Sequence, residues 1–337
     1  DPSSIDYLIN YKNNPGERMY LLLLSSDGHH KLFMNNLFYL DHELDIEQVW
    51  YSDTDNYLQL LADEFDGACS IGIDKNFPAR FLIPLMNLVD ECHFELGSEC
   101  VDRVRMIKDE KEQQLMIEAS KINDLVVDEF INICAKGNLT EEEVSKQLEG
   151  IYQKHGCVGN SFEPIVAYGK NGADNHHSGD DSRLKAGDSI VIDIGGLYKG
   201  YCSDMTRTVF YKEVSPKQKT VYELVLKAQK AAEAMIKPGV RLCDIDKCAR
   251  DIIAEGGYTV EFNHRLGHFI GRDVHEWCDV SQNFDLEVQE GMTFSIEPGV
   301  YLQGEFGVRI EDLVLVTKDG CKVLNSYPKD LRVIGND

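Results

Sequence analysis

Four carboxylates lie where apolar strands are expected to run. Asp193 falls in VIDIGG, Asp204 in YCSDMTRT, Glu297 at the end of the apolar run TFSI, and Glu311 inside GVRIEDLVLVT. Side chains of a strand alternate faces with period two. A turn near Tyr198-Lys199-Gly200 brings the strands carrying Asp193 and Asp204 side by side, so the two carboxylates converge. Left alone they repel, and one of them holds its proton to high pH. A cation removes the conflict. Taken by themselves, the two aspartates read equally well as turn or surface acids. With Glu297 and Glu311 added, the common cause is a hard-cation site. Four carboxylates exceed what one Zn²⁺ takes, which points to two bridged ions. Asp312, next to Glu311, faces the other way.

The histidines gather in two loops. NHRLGHFIGRDVHEW holds His264, His268 and His275, and ADNHHSGDD holds His176 and His177. His264 and His268 have the spacing of a helical zinc pair, but Gly267 and Gly271 argue against a helix. His275-Glu276 is followed by Trp277-Cys278, so the HExxH zinc-peptidase motif is absent. A mixed carboxylate–imidazole site with further histidines beside it fits these residues. Cys202, between the two aspartates, reads as a buried inert thiol rather than a nucleophile. No GxSxG, Walker or Rossmann sequence is present.

The elements that must position these groups fall into two regions. Residues 1–104 alternate short apolar runs with turn signals. RMYLLLLSSDGHHKLFM reads as strand, turn and strand, residues 57–65 as a helix and 69–74 as a strand, together a small α/β domain. In 105–337, Leu115, Ala119, Ile122, Val126 and Phe130 keep helical spacing up to Gly137. Thr140 with Glu143 forms a capping box, and Ser215-Pro216 opens a further helix that ends before Pro238-Gly239. DIDKCARDIIAEGG is another. Strands are predicted at 188–194, 201–210, 292–297 and 308–316, which makes this region α+β.

Composition bounds the rest. The 337 residues carry 34 Lys+Arg against 58 Asp+Glu, a formal charge of -24. That balance, with no basic cluster, excludes nucleic-acid binding through phosphates. No apolar run approaches the ~18 residues of a membrane helix. The ten cysteines are scattered without a CxxC and read as reduced thiols of a cytoplasmic protein.

The segments IDIGGLYKGYCSDMTRT, HRLGHFIGRDVHE, TFSIEPGVY and GVRIEDLVLVT, in that order, resemble the pita-bread metallopeptidases. RMIKDEKEQQLMIEAS resembles the first long helix of that catalytic domain, so the likeness covers about 105–337. It implies a pita-bread (creatinase/aminopeptidase-like) catalytic domain behind a smaller N-terminal α/β domain. It also implies two divalent ions, Mn²⁺ first with Co²⁺, Fe²⁺ or Zn²⁺ as alternatives. By the same likeness Asp193 holds one ion, His268 and Glu297 the other, and Asp204 and Glu311 bridge. His176 would sit in the substrate pocket, His264 and His275 would contact the substrate's carbonyl and neighbouring groups, and Arg309 would orient a ligand carboxylate. SDMTRT, EDLVLVT and the N-terminal domain resemble the proline-specific branch. The implied mechanism has a hydroxide held between the ions attacking the carbonyl before proline. Glu297, or alternatively His275, then passes a proton to the leaving nitrogen. The substrate is a proline-containing peptide. We read the chain first as an Xaa-Pro aminopeptidase and second as an Xaa-Pro dipeptidase (prolidase). A non-catalytic peptide-binding relative or a metal-free creatinase-like hydrolase would lack part of the ligand set. A homodimer is implied, as are a few tens of residues ahead of SSIDYLINYKNNPGERMYLLLL. Three residues depart from the family pattern: Phe269 where a second Gly follows the histidine, Cys278 in place of Pro, and an extra His177. The first two are expected to reshape the pocket beside His264 and His275.

Overall fold

Asp109, Thr140 and Ser215 each start a helix in the same way. The side chain accepts the backbone N–H three residues on, and Glu112, Glu143 or Gln218 reaches back to the cap. The helices they open are Glu110–Cys134, Glu141–Lys154 and Pro216–Met235, and Leu242–Glu255 is a fourth. The computed structural model describes residues 1–40 and 42–336 and divides into two units, Asp1–Arg105 and Met106–Asp337.

In the larger unit each helix pair covers one sheet. Val126, Phe130, Leu148 and Tyr152 of the first pair pack on Val166, Ile190 and Ile192. Their sheet runs Val333–Ile334, Met205–Tyr211, Ser189–Ile194, Ile165–Tyr168. The second pair supplies Val221, Val225, Ile245 and Ala249 to a core shared with Phe269, Phe294 and Val314. That sheet runs Glu276–Val280, Gly267–Phe269, Thr293–Ile296, Asp312–Thr317, Gly320–Val323, all antiparallel. Burying ~25 cal/mol per Å² of apolar surface on both faces of each sheet makes these layers the stable frame on which the polar groups are mounted. The unit is α+β, as its pattern of elements predicts.

The smaller unit is α/β. Leu21–Leu23 pairs antiparallel with Lys31–Asn35, which pairs parallel with Glu47–Tyr51. Ser70–Ile73 and His93–Leu96 form a second, parallel pair, and Phe81 and Leu85 of the helix Ala79–Leu88 sit in the core with Phe33 and Ile71. Among the described residues, no helix is long and apolar enough to cross a membrane.

Two strands predicted as continuous are interrupted at a carboxylate. The run 201–210 splits into Tyr201–Cys202 and Met205–Tyr211, with Ser203 and Asp204 in the gap. The run 308–316 splits into Phe306–Arg309 and Asp312–Thr317, so Glu311 lies at a break rather than mid-strand. There the Glu311 N–H leaves its own sheet and bonds the Thr206 carbonyl at 3.1 Å. The break lets a carboxylate turn inward between two sheets instead of standing on one. His268, expected in a loop, is the middle residue of the short strand Gly267–Phe269. Gly267 lies against the Ser295 carbonyl so closely that a Cβ would collide with it, which is why glycine precedes the histidine.

Candidate metal centre

The turn that aligns the first two aspartates is built from Lys199 at φ 47° and Gly200 at φ 83°. Two successive positive φ values suit the twist of a tight hairpin. Tyr198 pairs with Tyr201 across it, and Thr206 pairs with Asp193 farther along. Asp204 thus arrives one residue before the paired strand resumes, with its carboxyl against that of Asp193, and the two do converge.

Asp193, Asp204, His268, Glu297 and Glu311 all line one cavity of about 760 Å³, together with His176, His264, His275 and Arg309. Ligand atoms of Asp204, His268 and Glu311 lie within 4.8 Å of one another. His268 Nε2 is 3.4 Å from Asp204 Oδ2 and 3.6 Å from Glu297 Oε1. Asp193 adjoins Asp204 on one side of this group, and Glu297 adjoins His268.

Three features test whether these residues suit a divalent cation. Asp193 Oδ1, Asp204 Oδ1 and Glu311 Oε1 are buried with no hydrogen-bond partner. Buried carboxylate oxygens are costly unless paired or metal-bound. His268 Nδ1 lies 3.2 Å from the Phe269 carbonyl, an atom that only accepts, so the ring proton is on Nδ1 and the Nε2 lone pair faces the acids. Asp193, Asp204, Glu297 and Glu311 cluster in the cavity with one fully enclosed guanidinium, Arg309, so divalent charge balances the site. The donor set fits.

A ring of hydrogen bonds holds these groups. Arg309 donates from Nη2 to Asp193 Oδ2 at 2.7 Å, from Nη1 to Tyr301 Oη at 2.9 Å and from Nε to Thr206 Oγ1 at 3.0 Å. Thr206 in turn donates to Glu311 Oε2 at 2.6 Å. Asp193 and Glu311 are therefore oriented through one guanidinium and one hydroxyl, each keeping an oxygen free. Tyr301 donates to His264 Nε2 at 3.0 Å, while His264 Nδ1 donates to the Arg265 carbonyl at 2.7 Å. Both His264 nitrogens are occupied, so in this structure the ring buttresses Tyr301 and leaves no N–H for a substrate carbonyl. His275 packs edge-on against His268 with ring centroids 4.2 Å apart, and its ring meets no hydrogen-bond partner among the described residues. The segment that carries it is tied by a buried ion pair, Lys108 Nζ to Glu276 Oε2 at 2.9 Å.

Thr206, Tyr301, Lys108 and Glu276 escape the sequence reading. Neither charge nor strand alternation marks Thr206 or Tyr301: Asp204 stands outside the strand of Thr206, and Tyr301 lies on a different sheet from the strand that ends before Glu297. Asp312 does face away, into an ion cluster with Arg207 at 2.7 Å and Lys329 at 2.6 Å. Phe269 and Cys278 do not reshape the pocket. Both are buried in the hydrophobic core, Phe269 against Phe294 at 5.2 Å, and neither lines the cavity. His177 lines the cavity beside His176, and its Nε2 lies 2.7 Å from the buried Glu141. Glu141, His177 and Asp180 have metal-like spacing, but Glu141 already accepts from Tyr168 N, Asn171 Nδ2 and Asp180 N. That cluster pins the loop bearing His176.

Protonation follows from burial. Burial, opposed by His268 and Arg309, pushes Glu297 up to about 7. Burial and then Asp193 drive Asp204 well above the carboxylate range, and burial and then Asp204 do the same to Glu311. Burial holds His264 and His275 down to about 3 and lowers His268. A raised carboxyl stabilises the fold below its unfolded pKa and loses that contribution as pH rises through the folded value. A depressed imidazole stabilises above about 6.5 and loses that as pH falls. The two sets oppose each other at mildly acid pH, and above about 6.5 the imidazoles contribute a constant amount while the raised carboxyls go on losing theirs. In EDTA the thermal midpoint should therefore fall as pH rises from about 6.5 through about 7, where Glu297 gives up its proton, and added Mn²⁺ should remove the fall. A flat chelated profile would count against the clustered acids.

Residues 114–318 match the model of metallopeptidase family M24, and residues 1–107 match the creatinase/prolidase N-terminal domain. The chain belongs to metallopeptidase family M24. This M24 chain is a metal-dependent hydrolase with the pita-bread catalytic fold. It is 40% identical over 273 residues to an Xaa-Pro dipeptidase of Pyrococcus horikoshii, covering 80% of this chain and 78% of that one. The crystal structure of a prolidase from Thermococcus sibiricus superimposes with a TM-score of 0.91 at 33% identity, over 98% of this chain and 92% of that chain. An X-Pro aminopeptidase from Thermotoga maritima gives a TM-score of 0.83 at 30% identity, over 99% and 94%.

Proposed function

We propose that the chain is an Xaa-Pro dipeptidase that uses two Mn²⁺ ions held by Asp193, Asp204, His268, Glu297 and Glu311. The likeness to a dipeptidase and a prolidase favours this over the aminopeptidase reading. One observation in the cavity carries the choice. Arg265 and Arg309 are its two lining cations, and Arg309 is spent on Asp193, Tyr301 and Thr206. Arg265 is a third exposed and paired only sideways with Asp279 at 2.6 Å, so it can meet a free carboxylate. A dipeptide ends in such a carboxylate directly after proline, and a longer peptide does not.

Asp204 adjoins both Asp193 and His268, as a bridging ligand must. Four carboxylates with one imidazole form an oxygen-rich set that suits Mn²⁺. The ions supply Lewis acidity, polarising the scissile carbonyl and lowering the pKa of water. The remaining work belongs to the side chains. Glu297, in the cavity beside His268, is the group placed to take a proton from water and hand it to the leaving proline nitrogen. His275, neutral and unpartnered, donates to the carbonyl oxygen. Phe162, Pro164, Ile165 and Val274 give the proline ring an apolar wall. His176 closes the pocket on the loop that His177 and Glu141 anchor.

Hydrolysis of Xaa-Pro and Xaa-Pro-Yaa peptides tests the reading. Xaa-Pro should be cleaved with a kcat/KM at least ~100-fold higher, because Arg265 pairs only with the dipeptide. Arg265→Met should raise KM for Xaa-Pro and narrow that ratio. Equal cleavage of both peptides would return the chain to the aminopeptidase reading.

A further inference from the structure

Outside the metal centre, one pair of nucleophilic side chains stands in contact. Cys69 Sγ and Cys92 Sγ are 2.8 Å apart, though the residues are 23 positions apart in sequence. Each immediately precedes one of two parallel strands, Ser70–Ile73 and His93–Leu96, whose register begins at Ser70 with His93. The His93 N–H bonds the Cys69 carbonyl at 2.7 Å, extending that pairing back to the cysteines. Neighbouring strands run ~4.7–4.9 Å apart, within the Cα separation of ~4.4–6.8 Å that a disulfide spans. Both side chains are half-buried, so a small oxidant reaches them.

We propose that Cys69 and Cys92 are a dithiol oxidation site that closes to an intramolecular disulfide on reaction with a low-molecular-weight disulfide such as oxidised glutathione. One thiolate attacks a glutathione sulfur, forming a mixed disulfide and releasing one glutathione thiolate. The second cysteine, already in contact, loses its proton and attacks the protein-bound sulfur, forming the Cys69–Cys92 bond and expelling the second glutathione. The protein loses two hydrogens and two electrons, and oxidised glutathione becomes two molecules of the thiol. From the observed contact to a bond of ~2.05 Å each sulfur moves by only a few tenths of an ångström. Burial, then Cys92, pushes the Cys69 thiol up to about 11, which slows attack by that sulfur at neutral pH. The bond would staple the two strands around the helix Ala79–Leu88, whose Phe81 and Leu85 fill the core between them. It constrains the unfolded chain and so raises the thermal midpoint.

The test is to incubate the full-length native protein with oxidised glutathione, block free thiols, and map the peptides by mass spectrometry without reduction. The expected result is one cross-linked peptide pair joining Cys69 to Cys92, about 2 Da lighter than the sum of the two reduced peptides, reversed by dithiothreitol. In Cys69→Ser the cross-link should vanish and Cys92 should retain one glutathione. Recovery of Cys69 and Cys92 as blocked free thiols, or as two separate glutathione adducts, would overturn the proposal. So would a cross-link that forms only after denaturation.

Discussion

Asp204→Asn abolishes hydrolysis of an Xaa-Pro dipeptide while leaving the fold intact: this is the largest effect we expect. Asp204 sits at the centre of the donor set, against Asp193 on one side and 3.4 Å from His268 on the other. An amide of the same shape removes a negative charge and an anionic donor from the centre of the proposed ligand set. Turnover at saturating Mn²⁺ should drop by roughly 10³-fold or more, since even partners of metal ligands are worth 10–100-fold. Stability should move the other way. In the metal-free protein burial and then Asp193 already oppose the Asp204 charge. The variant's thermal midpoint in EDTA should accordingly be no lower than that of the wild type. Melting curves with and without Mn²⁺ check both halves. Only the wild type should gain a large metal-dependent rise.

Arg309→Leu is expected to fail in both fold and function. Arg309 is 2% exposed and directs one N–H from each of its three nitrogens to Asp193, Tyr301 and Thr206. Removing it leaves the Asp193 carboxylate buried without its counter-charge and takes a donor from each of two buried hydroxyls. Breaking one partner of a buried ion pair costs about 3–5 kcal/mol, a large part of the stability of a domain. Urea denaturation measures it. Arg309→Lys keeps the charge, but a single ammonium cannot replace a planar fork with three directed bonds. It should recover stability in part and activity poorly. An Arg309→Leu protein as stable and active as the wild type would show that the ring of hydrogen bonds does not organise the ligands.

Much of this site is legible in the sequence because charge in an apolar strand is anomalous. Asp193, Asp204, Glu297 and Glu311 stand out for that reason alone, and the capping residues Thr140 and Ser215 mark their helices by chemistry that acts within four residues. What stays hidden depends on contacts remote in sequence. Nothing around Ile310 shows that the strand leaves its sheet there, because the cause is a backbone bond to Thr206. Thr206 and Tyr301 are uncharged and look like ordinary strand residues until the Arg309 donors reach them. Phe269 shows period two acting twice. The alternation that turns His268 toward the acids sends its neighbour into the core, so a residue one step from a ligand leaves the pocket unchanged. The resemblance implies a substrate contact for His264; in the structure its two nitrogens face Tyr301 and the Arg265 carbonyl, contacts that no local sequence pattern marks. The proposed choice of dipeptidase over aminopeptidase rests on Arg265, whose place in the cavity is set only by folding.

Metal content is the most direct test of the account. Wild-type protein equilibrated with Mn²⁺, desalted and analysed by elemental mass spectrometry should hold about two ions per chain, as paired carboxylate sites do. Activity on Xaa-Pro should be lost to EDTA and regained with Mn²⁺. A chain that retains no metal, yet hydrolyses Xaa-Pro undiminished by the chelator, would contradict it.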